Sequence, residues 1–352
     1  MAARRGGRVG SRERPLTRGG GLLAGDIGAT NIRLSYFGEE VGRLVQGWSV
    51  QYRVADLPGV REALERFLLE AMEAGEFRPV AAAAFGCAGT IRDGRLVSSQ
   101  LPWGVDAATI AGALGLGSVQ LVNDLVANAL GIPELAPKDF AVLNDGVEEP
   151  DGNAVLISPG TGLGESILVR DGSGFRPIPS EGGNASFAPR NAEEIELLEW
   201  LMGEFGHVSC ERILSGPGLV NLYRFERSRA REPEPRWLKD RIAELGDVAP
   251  AVTEAALSEG DPVCQRTLER YASILGGEAG NLALKGLATG GVFLGGGISP
   301  KILPKLRDGS FFAAFCDKGR LGPVLSRMPV KVVLDDRCAL LGAARAASSS
   351  PR

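Results

Sequence analysis

The sequence predicts an α/β chain of two domains, and three observations carry that expectation. At 352 residues it is longer than a single hydrophobic core usually organises. Short apolar runs rich in β-branched residues alternate with stretches of helical spacing, the pattern of strands joined by helices. The 49 glycines, nearly double the usual share, gather where those runs end: Gly86–Gly89, Gly160–Gly164, Gly182-Gly183 and Gly295–Gly297. Glycine at the end of a strand lets backbone approach a ligand closely.

Bulk properties remove several function classes. A net charge of −4 and a pI near 5.4 argue against a general nucleic-acid binder. No apolar run reaches the roughly 18 residues of a membrane span. The five cysteines are scattered with no CxxC pair, which reads as reduced thiols of a cytoplasmic protein. With His207 the single histidine, multi-histidine metal sites are excluded and acid–base chemistry falls to carboxylates. His207 itself reads as a loop or cap contact.

Residues 1–20 hold six arginines and almost nothing apolar, and read as a disordered basic lead-in without the apolar core of a signal peptide. Gly21–Phe37 follows as two apolar runs around Gly25-Asp26-Ile27-Gly28-Ala29-Thr30-Asn31. That is a hairpin whose tip suits an anion: glycine frees N–H groups, while Thr30 and Asn31 add neutral donors. Asp26 would repel a bare phosphate, so its partner is the magnesium that accompanies one. A plain hairpin turn is the competing reading.

Val60, Leu64, Phe67, Leu68, Ala71 and Met72 mark an amphipathic helix ended by Gly75. Val80–Phe85 is a buried strand, and Asp106 caps a short helix to Leu114. Val119–Val122 is a further strand, after which Leu125, Ala129 and Leu130 take helical spacing to Gly131 and Pro133. Asn123-Asp124 therefore stands at a strand–helix junction, where open α/β sheets place ligands. Asp124 is either an N-cap or a catalytic base.

Phe140–Asn144, Ala154–Ser158 and Ser166–Arg170 are strands of a second unit, with Gly160-Thr161-Gly162-Leu163-Gly164 turning between the last two. Two glycine–threonine turns in one chain suggest two jaws around one polyphosphate. Asn191 with Glu194 opens a helix along Ile195, Leu198, Leu201, Met202 and Phe205. Ser209 is expected to cap the next helix, and residues 224–250 read as a charged, exposed excursion. A long helix runs from Asp261 to about Ala288; its Gly276, Gly277 and Gly280 imply close approach of another helix or of a nucleotide. Gly291–Pro300 reads as strand, glycine turn and helix start. Val330–Leu334 is the last strand, and Ala339–Ala347 a helix returning to the first domain.

Planar acceptors that take vicinal hydroxyls suit a sugar, and Asn123, Asp124, Glu181, Asn184 and Glu211 form such a set. Here the sequence resembles the bacterial glucokinase family, within the sugar kinase–Hsp70–actin fold. The resemblance covers nearly all of residues 21–346 and rests on seven segments in order: 25–31, Leu101-Pro102-Trp103, Val122-Asn123-Asp124, 160–164, Glu181-Gly182-Gly183, 209–223 and Gly295-Gly296-Gly297-Ile298. It implies a two-domain actin-like ATPase (ribonuclease H-like) fold with a cleft, the small domain from 21–133 plus 336–350 and the large from 134–335. It implies ATP held by Gly25, Asp26, Ile27, Gly28, Ala29, Thr30, Asn31, Gly160, Thr161, Gly162, Gly296 and Gly297, with Mg²⁺ on Asp26 through water. It further implies glucose held by Asn123, Asp124, Glu181, Asn184 and Glu211, with Asp124 as base. The product is glucose 6-phosphate, at the entry to glycolysis, and a homodimer is the family expectation.

Two departures stand out. The family usually has histidine where this chain has Asn184, and Ser99-Gln100 replaces an asparagine common before Leu-Pro-Trp. The alternatives are a kinase for another hexose or amino-hexose, a non-catalytic sugar-binding regulator, and an actin- or Hsp70-like ATPase.

Overall fold

A computed structural model describes residues 21–98, 101–172 and 174–349. The expected lead-in over 1–20 and the Ser99-Gln100 departure lie outside the described residues. Two compact units emerge, one reaching Asp124 and resuming at Ala343, the other Leu125–Gly342.

In the first unit, β1 (Gly21–Ile27), β2 (Asn31–Glu40) and β3 (Arg43–Arg53) form an antiparallel meander. Leu23, Ile27, Ile32, Leu34 and Tyr36 are fully buried, and so are Ala24, Ser35 and Phe37 on the other face, so this part of the sheet is covered on both sides. β3 escapes the sequence pattern because it is an edge strand with no fully buried residue. Helix α1 (Val60–Glu73) buries Val60, Ala63, Leu64, Phe67 and Ala71 and leads into β4 (Val80–Cys87), parallel to β1. A ribbon of β5 (Thr90–Arg92) and β6 (Arg95–Ser98) precedes α2 (Ala107–Leu114), which Asp106 caps by accepting the Thr109 N–H. β7 (Gln120–Asn123) completes the sheet order β3-β2-β1-β4-β7, and α3 (Asp124–Gly131) starts directly from its end.

The second unit repeats that plan. β8 (Phe140–Asn144), β9 (Ala154–Pro159), β10 (Leu163–Arg170), β11 (Phe175–Ile178), β12 (Gly291–Leu294) and β13 (Val330–Val333) order as β11-β10-β9-β12-β13-β8. Again a three-stranded antiparallel meander is followed by two parallel strands, with β8 antiparallel at the far edge.

Its helices amend the sequence reading at three places. In α4 (Ala192–Phe205) the buried residues are Glu194, Leu197 and Leu201, whereas Ile195 and Met202 face solvent. The inward face is the stripe of Leu197 and Leu201, with Leu198 and Phe205 packed beside it, and Glu194 on the same side pairs with Arg190 at 2.6 Å. Ser209 makes no side-chain cap, and the next helix, α5 (Gly216–Arg229), is capped by Ser215. Residues 224–250 are mostly helix, the end of α5 with α6 (Arg236–Leu245) and the start of α7 (Val248–Glu254), and Phe225, Glu226 and Leu238 are buried.

Helix α8 (Pro262–Gly286) is capped by Asp261 and carries the glycines noted above. Short helices α9 (Leu303–Leu306), α10 (Ser310–Cys316) and α11 (Gly322–Leu325) follow. A Cβ on Gly276 or Gly280 would strike the backbone of Phe311 or Phe315, so the close partner is α10.

The last helix, α12 (Cys338–Ser348), explains where the units divide. Side chains at Gly131 and Gly342 would overlap the backbones of Cys338 and Ala127, so α3 and α12 cross at backbone contact. Residues 125–133 and 336–342 therefore cluster with the second unit.

Candidate active site

The first unit brings two carboxylates to one end of its sheet. β1, β4 and β7 run parallel, with Asp26 opposite Gly86 and Cys87 opposite both Ile27 and Asn123. Asp124 follows Asn123 at the carboxyl end of β7, the ligand-binding end of such a sheet. Cys87 registers both acids: burial first, then the charges of Asp124 and Asp26, push its thiol up to about 12. Asn123 is anchored by donating its amide to the Gly89 carbonyl at 3.0 Å, inside the Gly86–Gly89 cluster.

The hairpin tip is open. Ile27 pairs with Ile32, the Gly28 N–H donates to the Asn31 carbonyl at 3.0 Å, and the Thr30 carbonyl accepts the Val54 N–H at 2.8 Å. Thr30 is exposed and Asp26, Gly28, Ala29 and Asn31 are half-buried, while Ile27 is fully buried in the core. Gly25 has a second duty, since a Cβ there would enter the Phe85 ring.

In the second unit the Gly160–Gly164 turn is held from outside. The Glu211 Oε2 accepts the Leu163 N–H at 3.0 Å and lies 2.5 Å from where a Gly162 Cβ would stand. The Gly216 N–H donates to the Gly160 carbonyl at 2.8 Å. Ser215 ties this together: its hydroxyl donates to the Glu211 carbonyl at 2.7 Å and accepts the Gly218 N–H at 3.0 Å. Thr161 is exposed at the tip.

The Glu181–Asn184 turn lies beside it, tied by the Cys210 N–H donating to the Ala185 carbonyl at 2.9 Å. Glu181 and Asn184 are both exposed, and Gly183 is buried where a side chain would overlap the Leu163 backbone. His207 meets Ser186 at 3.2 Å, a loop contact. The Gly295–Gly297 loop joins the same strand ends: Gly295 N–H donates to Ile157 O at 2.8 Å, and Gly296, with φ +73°, presses on the Pro159 backbone.

Within the second unit, Glu211, Gly160, Thr161, Gly162, Glu181, Asn184, Gly296 and Gly297 thus occupy neighbouring turns; within the first, Asp26, Asn123 and Asp124 do. Sequence reading overlooked Glu165, a carboxylate at a buried position of β10, 2% exposed. A charged residue two positions beyond buried Leu163 was the available signal. Among the described residues no cluster of three or more His, Cys, Asp or Glu could hold a metal, and no helix is long and apolar enough to cross a membrane. One carboxylate such as Asp26 suits magnesium, which keeps most of its water and leans on substrate phosphates.

A family model described as Glucokinase matches residues 23–350. The glucokinase of Nostoc punctiforme is 36% identical over 342 residues, covering 93% of this chain and 98% of that one. Among solved structures, a glucokinase from an Antarctic psychrotroph superposes with a TM-score of 0.80 at 28% identity, over 95% of this chain and all of that one. A ROK family glucokinase from Streptomyces griseus, in complex with glucose and AMPPNP, shares the fold at a TM-score of 0.63 and 22% identity, over 94% of this chain and 100% of that one. Two repeated α/β units with glycine hairpins, matched end to end by such relatives, are those of the actin-like sugar kinases, and this chain belongs to the glucokinase family.

Proposed function

We propose that this protein transfers the γ-phosphoryl group of ATP to the 6-hydroxyl of glucose, with Asp124 as the base. The observation that carries the assignment is the setting of Asp124: it stands at the carboxyl end of the parallel strand β7 and opens α3, follows an anchored Asn123, and shares its sheet end with Asp26. Relatives matched over nearly the whole chain favour glucose over another hexose and an enzyme over a sugar-binding regulator.

Asn123, Glu181, Asn184 and Glu211 orient the hexose through its ring hydroxyls. Glu211 spends one lone pair on the Leu163 N–H and keeps others for a hydroxyl. The 25–31 and 160–162 turns and the loop at 296-297 cradle the nucleotide. Asp26 would hold magnesium through water, and the ion when bound neutralises phosphate charge. Asp124 accepts the 6-hydroxyl proton as that oxygen bonds to the γ-phosphorus and the bond to ADP breaks. Such transfer is loose, so positioning dominates and the base contributes about 10²–10⁴-fold. The reading includes a cytoplasmic location, supported by five free cysteines, four of them buried, and a homodimer, supported by the family alone.

The test is ADP formation with glucose, mannose, fructose, glucosamine and no sugar, with and without Mg²⁺. Turnover dependent on glucose and Mg²⁺ supports the assignment. Equal turnover without sugar, or a clear preference for another hexose, overturns it. Sedimentation velocity reads the dimer separately.

A further inference from the structure

Beneath the Glu181–Asn184 turn lies a carboxyl with no part in the scheme above. Glu165 is 2% exposed on β10, and its Oε1 is buried without a hydrogen-bond partner. A Cβ on Gly182 would stand 2.5 Å from Glu165 Oε2, so the turn rests directly on this side chain. The Ser180 hydroxyl donates to the Glu165 carbonyl at 2.7 Å, and the Gly182 N–H donates to that hydroxyl at 3.2 Å. The turn is therefore stitched to the strand at the one residue whose acid it covers.

Every charged neighbour can be named. Helix α8 contributes Glu278 and Lys285, whose charges act on Glu165; the 210–212 turn carries Cys210, Glu211 and Arg212, and the overlying turn carries Glu181. β9 and Gly182–Asn184 carry no titratable side chain; β11 carries Arg176, paired across from Val169. Lys285 is 58% exposed and stands 3.8 Å from Glu278, a weak counter-charge. Burial and then the Glu278 charge push the Glu165 carboxyl up to about 7. An ionised Glu165 would be a buried anion with an orphan oxygen facing a like charge, which the fold resists.

We propose that Glu165 is a positioning residue for sugar binding: its buried carboxyl is the seat of the Glu181–Asn184 turn, and loss of its proton unseats that turn. The inference rests on the reading of this turn as a sugar contact. Glucose binding should weaken as pH rises through neutrality, while turnover at saturating glucose, set by Asp124, is little changed.

The experiment measures glucose KM and kcat at saturating Mg·ATP from pH 6 to 9 for the parent enzyme, E165Q, E181Q and H207Q. The parent KM is expected to rise about tenfold across the range, the order of effect expected when a buried group becomes an unpaired charge. E165Q, neutral at every pH, should give a flat KM, and H207Q should follow the parent. A flat parent profile, or an E165Q profile that rises like the parent, overturns the proposal. E181Q separates it from its foundation: an unchanged glucose KM in E181Q removes the turn from the sugar site, whereas a raised KM beside an unaltered E165Q profile removes only Glu165. If E165Q does not fold, E165M serves the same comparison, with glucose binding followed by intrinsic fluorescence; a pH-dependent affinity in E165M counts against the proposal.

Discussion

The two glycine hairpins share glycine and threonine at their tips and are held in different ways. In the first unit, the 28–31 tip closes on itself through Gly28 and Asn31, and β3 and the turn after it meet it, with Asn31 paired to Arg53 and the Val54 N–H on Thr30 O. In the second, the 160–164 turn is gripped by the Glu211 carboxylate, by Gly216, and through Ser215 by the start of α5. A Cβ on Gly28 meets only the Asn31 carbonyl at 3.4 Å, while one on Gly162 meets a carboxylate oxygen at 2.5 Å. The first tip is a local object whose glycines leave its backbone open to a ligand. The second is the junction of three segments, where glycine admits Glu211, so that a proposed sugar ligand and a proposed phosphate turn share one bond.

Five substitutions, in four comparisons, would break or sharpen that contrast. D124N has the largest expected effect, since it leaves both hairpins intact and removes the base. Turnover should fall by about 10²–10⁴-fold with glucose affinity by calorimetry little altered; near-parental turnover would exclude Asp124 from the role. G162A is next: displacing Glu211 should raise both glucose and ATP KM by about tenfold, the loss of one charge-assisted bond. G28A, by contrast, should raise ATP KM alone. Coupled steady-state assays of the two read the difference, and identical profiles would mean the hairpins are equivalent.

Third comes stability against pH. Glu165 is raised from its ordinary 4.5 to about 7 in the fold, so its contribution is fully present below 4.5 and lost as pH rises through 7. E165Q should therefore gain on the parent in Tm, by little near pH 4.5 and by about 3 °C above pH 7.5 in thermal scans. S215A is the smallest: losing the α5 cap and the bond to Glu211 should cost about 1 kcal/mol in urea unfolding. Its glucose KM should rise less than that of G162A.

Local patterns made much of the fold legible. Asp106, Asn191 and Asp261 cap the helices they precede, because a short polar side chain before an apolar repeat has one main use. Strands β8 and β9 were readable as short apolar runs, β9 buried and β8 half-exposed at the sheet edge. What failed depended on distant partners. In α4 the apolar residues admit more than one face, and the core of the second unit selects Leu197 and Leu201 over Ile195 and Met202. The helices over 224–250 are held by Phe225 and Leu238 in a core that charged neighbours conceal.

By itself the sequence determined the alternation of strands and helices, the two glycine hairpins and the Asn123-Asp124 junction, because each follows from interactions within a few residues. Tertiary structure alone decided that α10 lies on Gly276 and Gly280, that Glu211 closes on Gly162, and that Glu165 lies buried under Gly182. Those contacts join residues 17 to 49 positions apart. Whether a carboxylate is a solvated side chain or a buried acid depends on what the chain brings over it, and no local pattern records that.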